Sequence, residues 1–264
     1  MSATSGKFGD LGTRVVSAIA LIVAAVVLFE LGGLWVAALL VAGSWIMLWE
    51  YQRVLSQGSS GDTGALAIMA LAALVAIGLT YYVGWLSGLA VLFLGGLALV
   101  RQDRERWMWL AAGLMYIGAA AVAMLAIFLT PGDGLFYIFW VVLIVALSDI
   151  GGYFAGRIIG GAKLWPAVSP KKTWSGTIGG WVLAIVAGVF LGIYGPVGVG
   201  VSVGISLVLS IAAQAGDLLE SWLKRRSNVK DASDIIPGHG GFLDRMDGLV
   251  AAIMVFTVLR TVML

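Results

Sequence analysis

Four aspartates lie at or just beyond the ends of long apolar stretches: Asp149, Asp217, Asp244 and Asp247. A carboxylate within the hydrocarbon of a membrane is costly unless it is paired or faces water, so each one is a functional candidate. Such oxygen ligands suit Mg²⁺, which usually binds one or two carboxylates plus substrate phosphates. The chain has no cysteine and one histidine, His239, which argues against zinc. The alternative for each aspartate alone is a salt bridge with a nearby arginine, whereas the four together favour a shared polar cavity.

Helical spacing groups these acids with other polar side chains. Residues three, four and seven positions apart lie on one side of an α-helix. Asp244 and Asp247 are three residues apart and share a face if the last helix begins early. Aspartates from different helices that converge at one depth would form an oxygen-rich site. A second predicted polar face holds Asp217, Glu220, Ser221 and Lys224.

Residues Ser169–Gly176 read SPKKTWSG and combine two lysines with three hydroxyl groups. Gly176 leads into the N-terminus of an apolar helix, where free backbone N–H groups favour phosphate. The alternative is that Lys171 and Lys172 contact anionic lipid headgroups, at about 1 kcal/mol per charge. The neighbouring hydroxyl groups and the glycine favour the phosphate site.

A second polar segment, Ser221–Gly248, contains four basic residues, then the sequence PGHGG, then an Asp-Arg-x-Asp-Gly end. The PGHGG loop can present N–H groups to an anion. His239 could contact phosphate or transfer a proton, and an equal alternative is a hydrogen bond that braces the loop. The segment is not a P-loop, because the Gly-Lys-Ser/Thr arrangement is missing. The two polar segments predict a substrate with several phosphates and a partner that could be a lipid.

The composition places these residues in a membrane protein. The 264-residue chain is 61% hydrophobic and 11% charged, with a mean hydropathy of +1.02. An ordinary globular chain is about 45–50% apolar and about 25% charged. The apolar runs are continuous rather than alternating, which favours membrane helices over a β-barrel. We predict an all-α integral membrane protein with about nine transmembrane helices, over residues 14–29, 34–54, 64–83, 85–100, 108–129, 135–156, 177–194, 197–219 and 247–263.

Basic residues fall on alternate connections between these helices. If nine helices alternate across the membrane, all 16 lysines and arginines except Arg260 lie on one side. The positive-inside rule makes that side the cytoplasm. We therefore expect a cytoplasmic N-terminus, a C-terminus outside, and a site that faces the cytoplasm. The first span resembles a signal peptide, but the eight spans that follow favour an uncleaved anchor.

The distribution of polar groups divides the chain into two parts. We predict a scaffold over residues 1–134, with about five spans that contain few polar groups and could provide dimer contacts. Residues 135–264 would form the catalytic region, with cytoplasmic loops at 157–176 and 224–246. A homodimer through the apolar helices is compatible with this division.

Residues Ser221–Asp247 resemble the signature of the phosphatidate cytidylyltransferase (CDP-diacylglycerol synthase) family. Further blocks of that family resemble Ser148–Gly176 and Gly216–Ser221, and the first half of the chain supports the resemblance only by topology. The chain departs from the family pattern where Ile-Gly-Gly follows Asp149 and where Ser175 replaces a frequent glutamate. The matching signature residues include Ser221, Leu223, Lys224, Arg225, Lys230, Asp231, Ser233, Pro237, His239, Gly240, Gly241, Phe242, Asp244, Arg245, Met246 and Asp247.

The resemblance implies a nucleotidyltransferase that acts in phospholipid biosynthesis. Phosphatidic acid would attack the α-phosphorus of CTP, and CDP-diacylglycerol and pyrophosphate would form. The family requires Mg²⁺, which implies Asp217 and Asp244 as ligands, with Asp149 and Asp247 as outer ligands or water anchors. A second cation such as K⁺ is also implied.

The resemblance also assigns roles to the remaining polar residues. The implied catalytic group is Asp217, Asp244, Asp247, Lys224, Ser221 and His239. Groups that bind the phosphates of CTP or phosphatidate would be Lys171, Lys172, Ser169, Thr173, Arg157, Arg225, Lys230, Asp231, Arg245 and Asp149.

The implied location is the bacterial cytoplasmic (inner) membrane, with membrane lipid and no nucleic-acid polymer as a partner. One alternative is a CTP-dependent lipid kinase of the polyprenol or phytol type, against which the intact Ser221–Asp247 signature argues. Another is a CDP-alcohol phosphotransferase, whose later glycine and aspartates are missing from Leu249–Leu264. A transporter could use the same acids, but it would have no need for cation-rich loops.

Overall fold

The computed structural model describes residue 23 and residues 26–59, 61–236 and 240–264. Residues 26–31 are helical. Within the described part of the chain, eight helices are long and apolar enough to cross a membrane. They are α1 (Gly33–Leu55), α2 (Thr63–Tyr82), α3 (Trp85–Gln102), α4 (Trp107–Phe128), α5 (Gly134–Ile158), α6 (Trp174–Tyr194), α7 (Val199–Arg226) and α8 (Leu243–Met263).

The predicted all-α membrane fold is confirmed, and these helices match eight of the predicted spans. The first predicted span, 14–29, lies mostly outside the described residues, as do Lys7 and Arg14. Two helices are longer than expected: α7 continues to Arg226 instead of ending at residue 219, and α8 begins at Leu243 instead of residue 247. Both extensions consist of polar sequence that remains helical, so Ser221 and Lys224 lie on α7, as the predicted polar face requires, and Asp244 lies on α8 instead of in the predicted loop.

A small β-hairpin, which the sequence did not predict, fills most of the connection between α5 and α6. Strand β1 (Lys163–Trp165) pairs antiparallel with β2 (Ser169–Thr173), with Lys163 opposite Thr173. Gly160 and Gly161 precede it with φ of 66° and 99°, a conformation that glycine adopts without steric cost. The hairpin thereby places the two lysines of β2 directly before α6.

The chain forms two compact units. One contains the described residues up to Gly118 together with Ser227–Arg245, and the other contains Ala119–Arg226 and Met246–Leu264. The predicted division at residue 134 concerned the roles of the two halves and stays a prediction.

In the first unit, side-chain hydrogen bonds to backbone carbonyls connect α1 to its neighbours. The Tyr51 hydroxyl of α1 donates to the Trp109 carbonyl at 2.8 Å, and the Trp45 indole donates to the Ala70 carbonyl at 2.8 Å. Helix α2 begins at a capping residue, because the Asp62 carboxylate accepts from the Gly64 N–H at 2.7 Å. These contacts give polar groups the hydrogen-bond partners that lipid could not provide.

In the second unit, α5 and α6 approach each other so closely that only glycine fits at the contact. A methyl group on Gly151 would lie 2.6 Å from the Gly179 carbonyl oxygen, and one on Gly179 would lie 2.3 Å from the Ala155 Cβ. Nearer the start of α6, a methyl group on Gly176 would lie 2.7 Å from the Gly152 carbonyl oxygen. Small residues permit this kind of backbone approach between membrane helices, where lipid provides no hydrophobic drive for association.

We predict that Gly179→Ala destabilises the protein by about 1–3 kcal/mol, because the added methyl group overpacks the α5–α6 contact. The matched control is Gly204→Ala on α7, where a methyl group would meet no atom within 4 Å. There the higher helix propensity of alanine makes the change neutral or slightly stabilising. Thermal unfolding in detergent micelles measures both variants, and equal midpoints would contradict the proposed role of the contact.

Candidate functional site: a cationic cavity on α5, β2, α6 and α7

The second unit contains a cavity of about 520 Å³ that polar and charged residues line together with three glycines. It lies where the end of α5 meets the β-hairpin, the start of α6 and the middle of α7. The lining residues are Ser148, Asp149, Gly152, Tyr153, Gly156, Arg157, Lys171, Lys172, Thr173, Gly176, Thr177, Gln214 and Asp217.

The glycines of the α5–α6 contact also form part of the cavity wall. Gly152 and Gly156 of α5 and Gly176 of α6 add no side chain to the space between the helices. The Thr173 side chain caps α6 by accepting from the Gly176 N–H at 3.2 Å, and it lies 2.9 Å from where a methyl group on Gly156 would be. Thr173, predicted to bind phosphate, therefore lines the cavity and caps the helix at the same time.

An ion pair joins two of the predicted site residues on the cavity wall. The Lys172 Nζ lies 2.6 Å from Asp217 Oδ2, and their side chains are 25% and 38% exposed. The same Nζ is 3.4 Å from the Gln214 carbonyl, while the Ser221 hydroxyl donates to Asp217 Oδ1 at 3.3 Å. Asp217 and Lys172 are thus held together at a position that an incoming ligand can reach.

The polar face predicted on α7 is confirmed by its internal contacts. Besides the Ser221–Asp217 hydrogen bond, Lys224 Nζ lies 2.5 Å from Glu220 Oε2, one helical turn away. Both members of this second pair are largely buried, with side chains 12% and 8% exposed. Lys224, predicted to be catalytic, forms an ion pair with Glu220, and it is not among the described residues that line the cavity.

Two further aspartates share the electrostatic environment of Asp217. Asp149 lines the cavity, and Asp247 on α8 interacts electrostatically with Asp217, Lys224 and Asp149. The carboxylate of Asp247 accepts from the Gly248 N–H at 2.7 Å. Close packing of α7 on α8 positions this residue, since a methyl group on Gly216 would lie 2.5 Å from the Asp247 carbonyl oxygen.

Two arginines of this unit form side-chain hydrogen bonds, one within α5 and the other to the turn of the hairpin. The Arg157 guanidinium donates to the Tyr153 hydroxyl at 2.6 Å, and both side chains line the cavity. Arg225 Nε lies 3.4 Å from the Val168 carbonyl, in the turn of the hairpin. Arg157 therefore contributes positive charge to the cavity wall, whereas Arg225 contacts the turn that joins β1 to β2.

A hydroxyl–amide network at the cavity wall was missed in the sequence. The Ser148 and Ser210 hydroxyls are 2.7 Å apart, and the Gln214 amide donates to Ser148 and to the Thr177 carbonyl, each at 3.2 Å. The network joins α5, α6 and α7 at the level of Asp149. Its signal was available as Ser210 and Gln214, four residues apart on one face of α7, but serine is too common in membrane helices for that spacing to stand out.

The remaining predicted residues of the carboxyl-terminal signature lie in the first unit. Asp244, in the first turn of α8, accepts from the Gly241 N–H at 2.9 Å and the Ala232 N–H at 3.2 Å. Lys230, Asp231 and Arg245 are exposed. His239 lies outside the described residues.

The cavity thus brings together six of the predicted residues: Asp149, Arg157, Lys171, Lys172, Thr173 and Asp217. Ser221, Lys224, Arg225 and Asp247 belong to the same unit but are not among the described lining residues, and neither is Ser169, at the start of β2.

The side chains of the cavity fit a metal ion whose coordination is completed by a substrate. Among the described residues, no three histidine, aspartate or glutamate side chains cluster closely enough to enclose a metal by themselves. Mg²⁺ typically takes one or two carboxylates and fills its other positions with water and phosphate oxygens. Asp217, with Asp149 and three cationic side chains on the same wall, matches that mode of binding.

These features define a multi-pass helical membrane protein with a cavity suited to phosphate groups. The chain belongs to the cytidylyltransferase family, whose family model matches residues 12–263. The match includes the segment Ser148–Gly248 that carried the resemblance, which is thereby confirmed.

Several bacterial relatives named phosphatidate cytidylyltransferase are similar to this chain. The one from Brucella suis biovar 1 (strain 1330) is 44% identical over 195 residues, covering 72% of this chain and 67% of the relative. The one from Staphylococcus haemolyticus (strain JCSC1435) is 36% identical over 160 residues, covering 60% and 62%. The one from Haemophilus influenzae (strain ATCC 51907 / DSM 11121 / KW20 / Rd) is 46% identical over 133 residues, covering 48% and 46%.

We predict that Lys172→Gln weakens CTP binding by about tenfold or more, because hydrogen bonds to charged groups contribute about 1.5–3 kcal/mol. The control is Lys163→Gln, an exposed lysine on β1 of the same hairpin that is not among the described lining residues. Titration calorimetry with CTP, in the absence of a lipid acceptor, measures binding without turnover. An equal loss in the two variants would show that general positive charge, and not this cavity, binds the nucleotide.

Proposed function

We propose that this chain catalyses the transfer of CMP from CTP to phosphatidic acid, giving CDP-diacylglycerol and pyrophosphate. The observation that carries the proposal is the Lys172–Asp217 ion pair on the wall of a cavity that also contains Lys171 and Arg157. A carboxylate and several cations in one cavity of a membrane protein suit a polyphosphate with its metal and a lipid acceptor. The family and its named relatives supply the substrate class.

The reaction is a substitution at the α-phosphorus of CTP. An oxygen of the lipid phosphate forms a new bond to that phosphorus, and the bond to the oxygen bridging the α- and β-phosphates breaks. Pyrophosphate leaves with the electron pair. A phosphate monoester is largely ionised near pH 7, so the attacking oxygen needs little help from a general base.

Charge stabilisation is the main task of the protein in such a reaction, because phosphoryl-type transfer depends on positioning and electrostatics. Lys171, Lys172 and Arg157 would hold phosphate oxygens and offset the charge that develops on pyrophosphate. The Lys172–Asp217 pair would open as phosphate replaces the carboxylate beside the ammonium group. Asp217 would then be available to other positive charge.

The proposed cofactor is Mg²⁺, with Asp217 and Asp244 as its ligands and Asp149 and Asp247 in supporting positions. When bound, the ion would neutralise phosphate charge and orient the reacting groups. A second cation such as K⁺ is part of the proposal because of the family resemblance. Further contacts to substrate phosphates are proposed for Ser169, Thr173, Ser221, Lys224, Arg225, Lys230, Asp231, His239 and Arg245.

The proposed location is the bacterial cytoplasmic membrane, with the cavity facing the cytoplasm. The distribution of basic residues supports this orientation. CTP would then arrive from the cytoplasm, and phosphatidic acid from the membrane.

The reaction is tested with purified protein in detergent, phosphatidic acid, Mg²⁺ and CTP labelled on the α-phosphate. We expect label in the lipid phase, and none after EDTA is added. Asp217→Asn and Asp244→Asn should each lower the rate by roughly 100-fold or more, because a bound metal contributes several kcal/mol to charge stabilisation. Asp133→Asn, an exposed residue just before α5, is the matched control and should keep full activity.

The possible results separate the parts of this proposal. Transfer that survives Asp217→Asn would keep the reaction and reject the ligand assignment. Label that reaches lipid only from γ-labelled CTP, with an alcohol acceptor, would replace the proposal with a lipid kinase. No transfer, under conditions where a known enzyme of this kind works, would reject it in favour of a transport role.

The orientation is tested with single cysteines, which the chain permits because it contains none. We expect a membrane-impermeant thiol reagent to label Asp133→Cys from outside intact cells, because this residue precedes α5 on the side poor in basic residues. Arg104→Cys, between α3 and α4, should be labelled only in inverted membrane vesicles. Labelling of Arg104→Cys from outside intact cells would show that the membrane orientation is wrong.

A further inference from the structure

A fully buried glutamate lies on α1, far in sequence from the predicted site residues. Glu50 has no solvent exposure, and it lies within a helix that is apolar enough to span a membrane. An ionised side chain in such a position needs several hydrogen-bond donors, because burial of a charge without them is costly. The described residues show where those donors come from.

The donors all belong to the segment 233–243 of the carboxyl-terminal signature. Glu50 Oε1 accepts from the Ser233 hydroxyl and, at 2.9 Å, from the Phe242 N–H. Glu50 Oε2 accepts from the Leu243 N–H at 2.5 Å. Leu243 is the first residue of α8, so the carboxylate binds N–H groups that the start of the helix leaves without an intrahelical partner.

The same segment, together with Ala232, also donates hydrogen bonds to the carboxylate of Asp244. Asp244 Oδ2 accepts from the Gly241 and Ala232 N–H groups, while Gly241 lies between the two acids. A methyl group on Gly241 would be 2.8 Å from Glu50 Oε1 and 3.0 Å from Asp244 Oδ2. The segment is therefore folded around two carboxylates at once, and any shift of residues 241–243 away from Glu50 would displace Asp244.

We propose that Glu50 is a positioning residue of the enzyme, which holds residues 233–243 and the start of α8 so that the Asp244 carboxylate is correctly aimed. This inference rests on the proposed function, in which Asp244 is a metal ligand. In this role Glu50 would act without contacting substrate or metal. It acts through the backbone of Phe242 and Leu243 and through Ser233.

The chemistry at this position requires a carboxylate. All three partners donate hydrogen bonds, and an ionised carboxylate offers two oxygens that only accept. Glutamine has nearly the same shape, but its amide nitrogen is a donor and would face one of the donors that bind Glu50. Glu50→Gln therefore removes at least one hydrogen bond while it conserves the side-chain volume.

The test combines kinetics with hydrogen–deuterium exchange on the full chain in detergent. Glu50→Gln should lower kcat by about 10–100-fold, the usual effect of removing a group that orients a metal ligand, and should change the KM for CTP little. Exchange should accelerate in peptides covering 232–243 and stay unchanged in α5, α6 and α7. Glu105→Gln, an exposed glutamate between α3 and α4, is the matched control and should behave as wild type.

A second variant keeps the test decisive if Glu50→Gln folds poorly. Ser233→Ala removes one hydrogen bond to Glu50 without leaving an unpaired charge, so it should fold and show a smaller fall in kcat with the same local increase in exchange. The double variant should lose less than the two single changes added together, because the Ser233–Glu50 hydrogen bond is lost only once.

The outcomes distinguish a failure of this inference from a failure of the proposed function. Wild-type kcat in Glu50→Gln and Ser233→Ala, or faster exchange spread over all helices, would overturn the positioning role while leaving the reaction intact. Wild-type protein without any CMP transfer would reject the function on which the inference rests. In that case a local increase in exchange would still show that Glu50 orders this segment, without a role in this reaction.

Discussion

The close backbone contact between α5 and α6 brings together two of the elements that line the cavity. Because Gly151 and Gly179 have no side chains, the Gly179 carbonyl of α6 packs directly against Gly151 of α5. The start of α6 therefore lies close to α5. The hairpin that joins these helices lies in the same region, and both β2 lysines line the cavity together with Asp149 of α5 and Asp217 of α7. Larger residues at the contact would separate the helices and open the wall that carries Lys172 and Thr173.

In both units, buried or half-buried acidic side chains bind hydrogen-bond donors that belong to the same unit. In the second unit, a lysine and a serine contact Asp217, while the carboxylate of Asp247 takes a backbone N–H. In the first unit, Glu50 and Asp244 bind backbone N–H groups of one short segment. The two solutions suit different tasks, since an exposed ion pair can exchange partners with a ligand, whereas a fully enclosed set of N–H groups fixes a backbone.

The sequence predicted the helices well because lipid demands long continuous apolar runs, which are visible without any knowledge of packing. It placed the end of α7 too early, since Lys224–Arg226 ends the apolar run although the backbone stays helical. The β-hairpin was missed because strands of three and five residues leave too short a pattern to recognise. The cavity residues Asp149, Lys172 and Asp217 were identified as candidates, but their pairing depends on how α5, β2 and α7 pack. Glu50 was missed because one acid near the end of an apolar run looks like a helix terminus, and its partners come almost 200 residues later.

The large separation between Glu50 and its partners also has a consequence for biosynthesis. Ser233 follows Glu50 by 183 residues. At typical rates of about 5–20 residues per second, a ribosome would need roughly 10–40 s to supply that partner. During this interval, α1 must enter the bilayer or wait beside the insertion machinery with a carboxylate that lacks its native donors. The first unit can therefore complete its native contacts only after residue 243 has been synthesised, and a nascent chain that stops earlier leaves the Glu50 carboxylate without these donors.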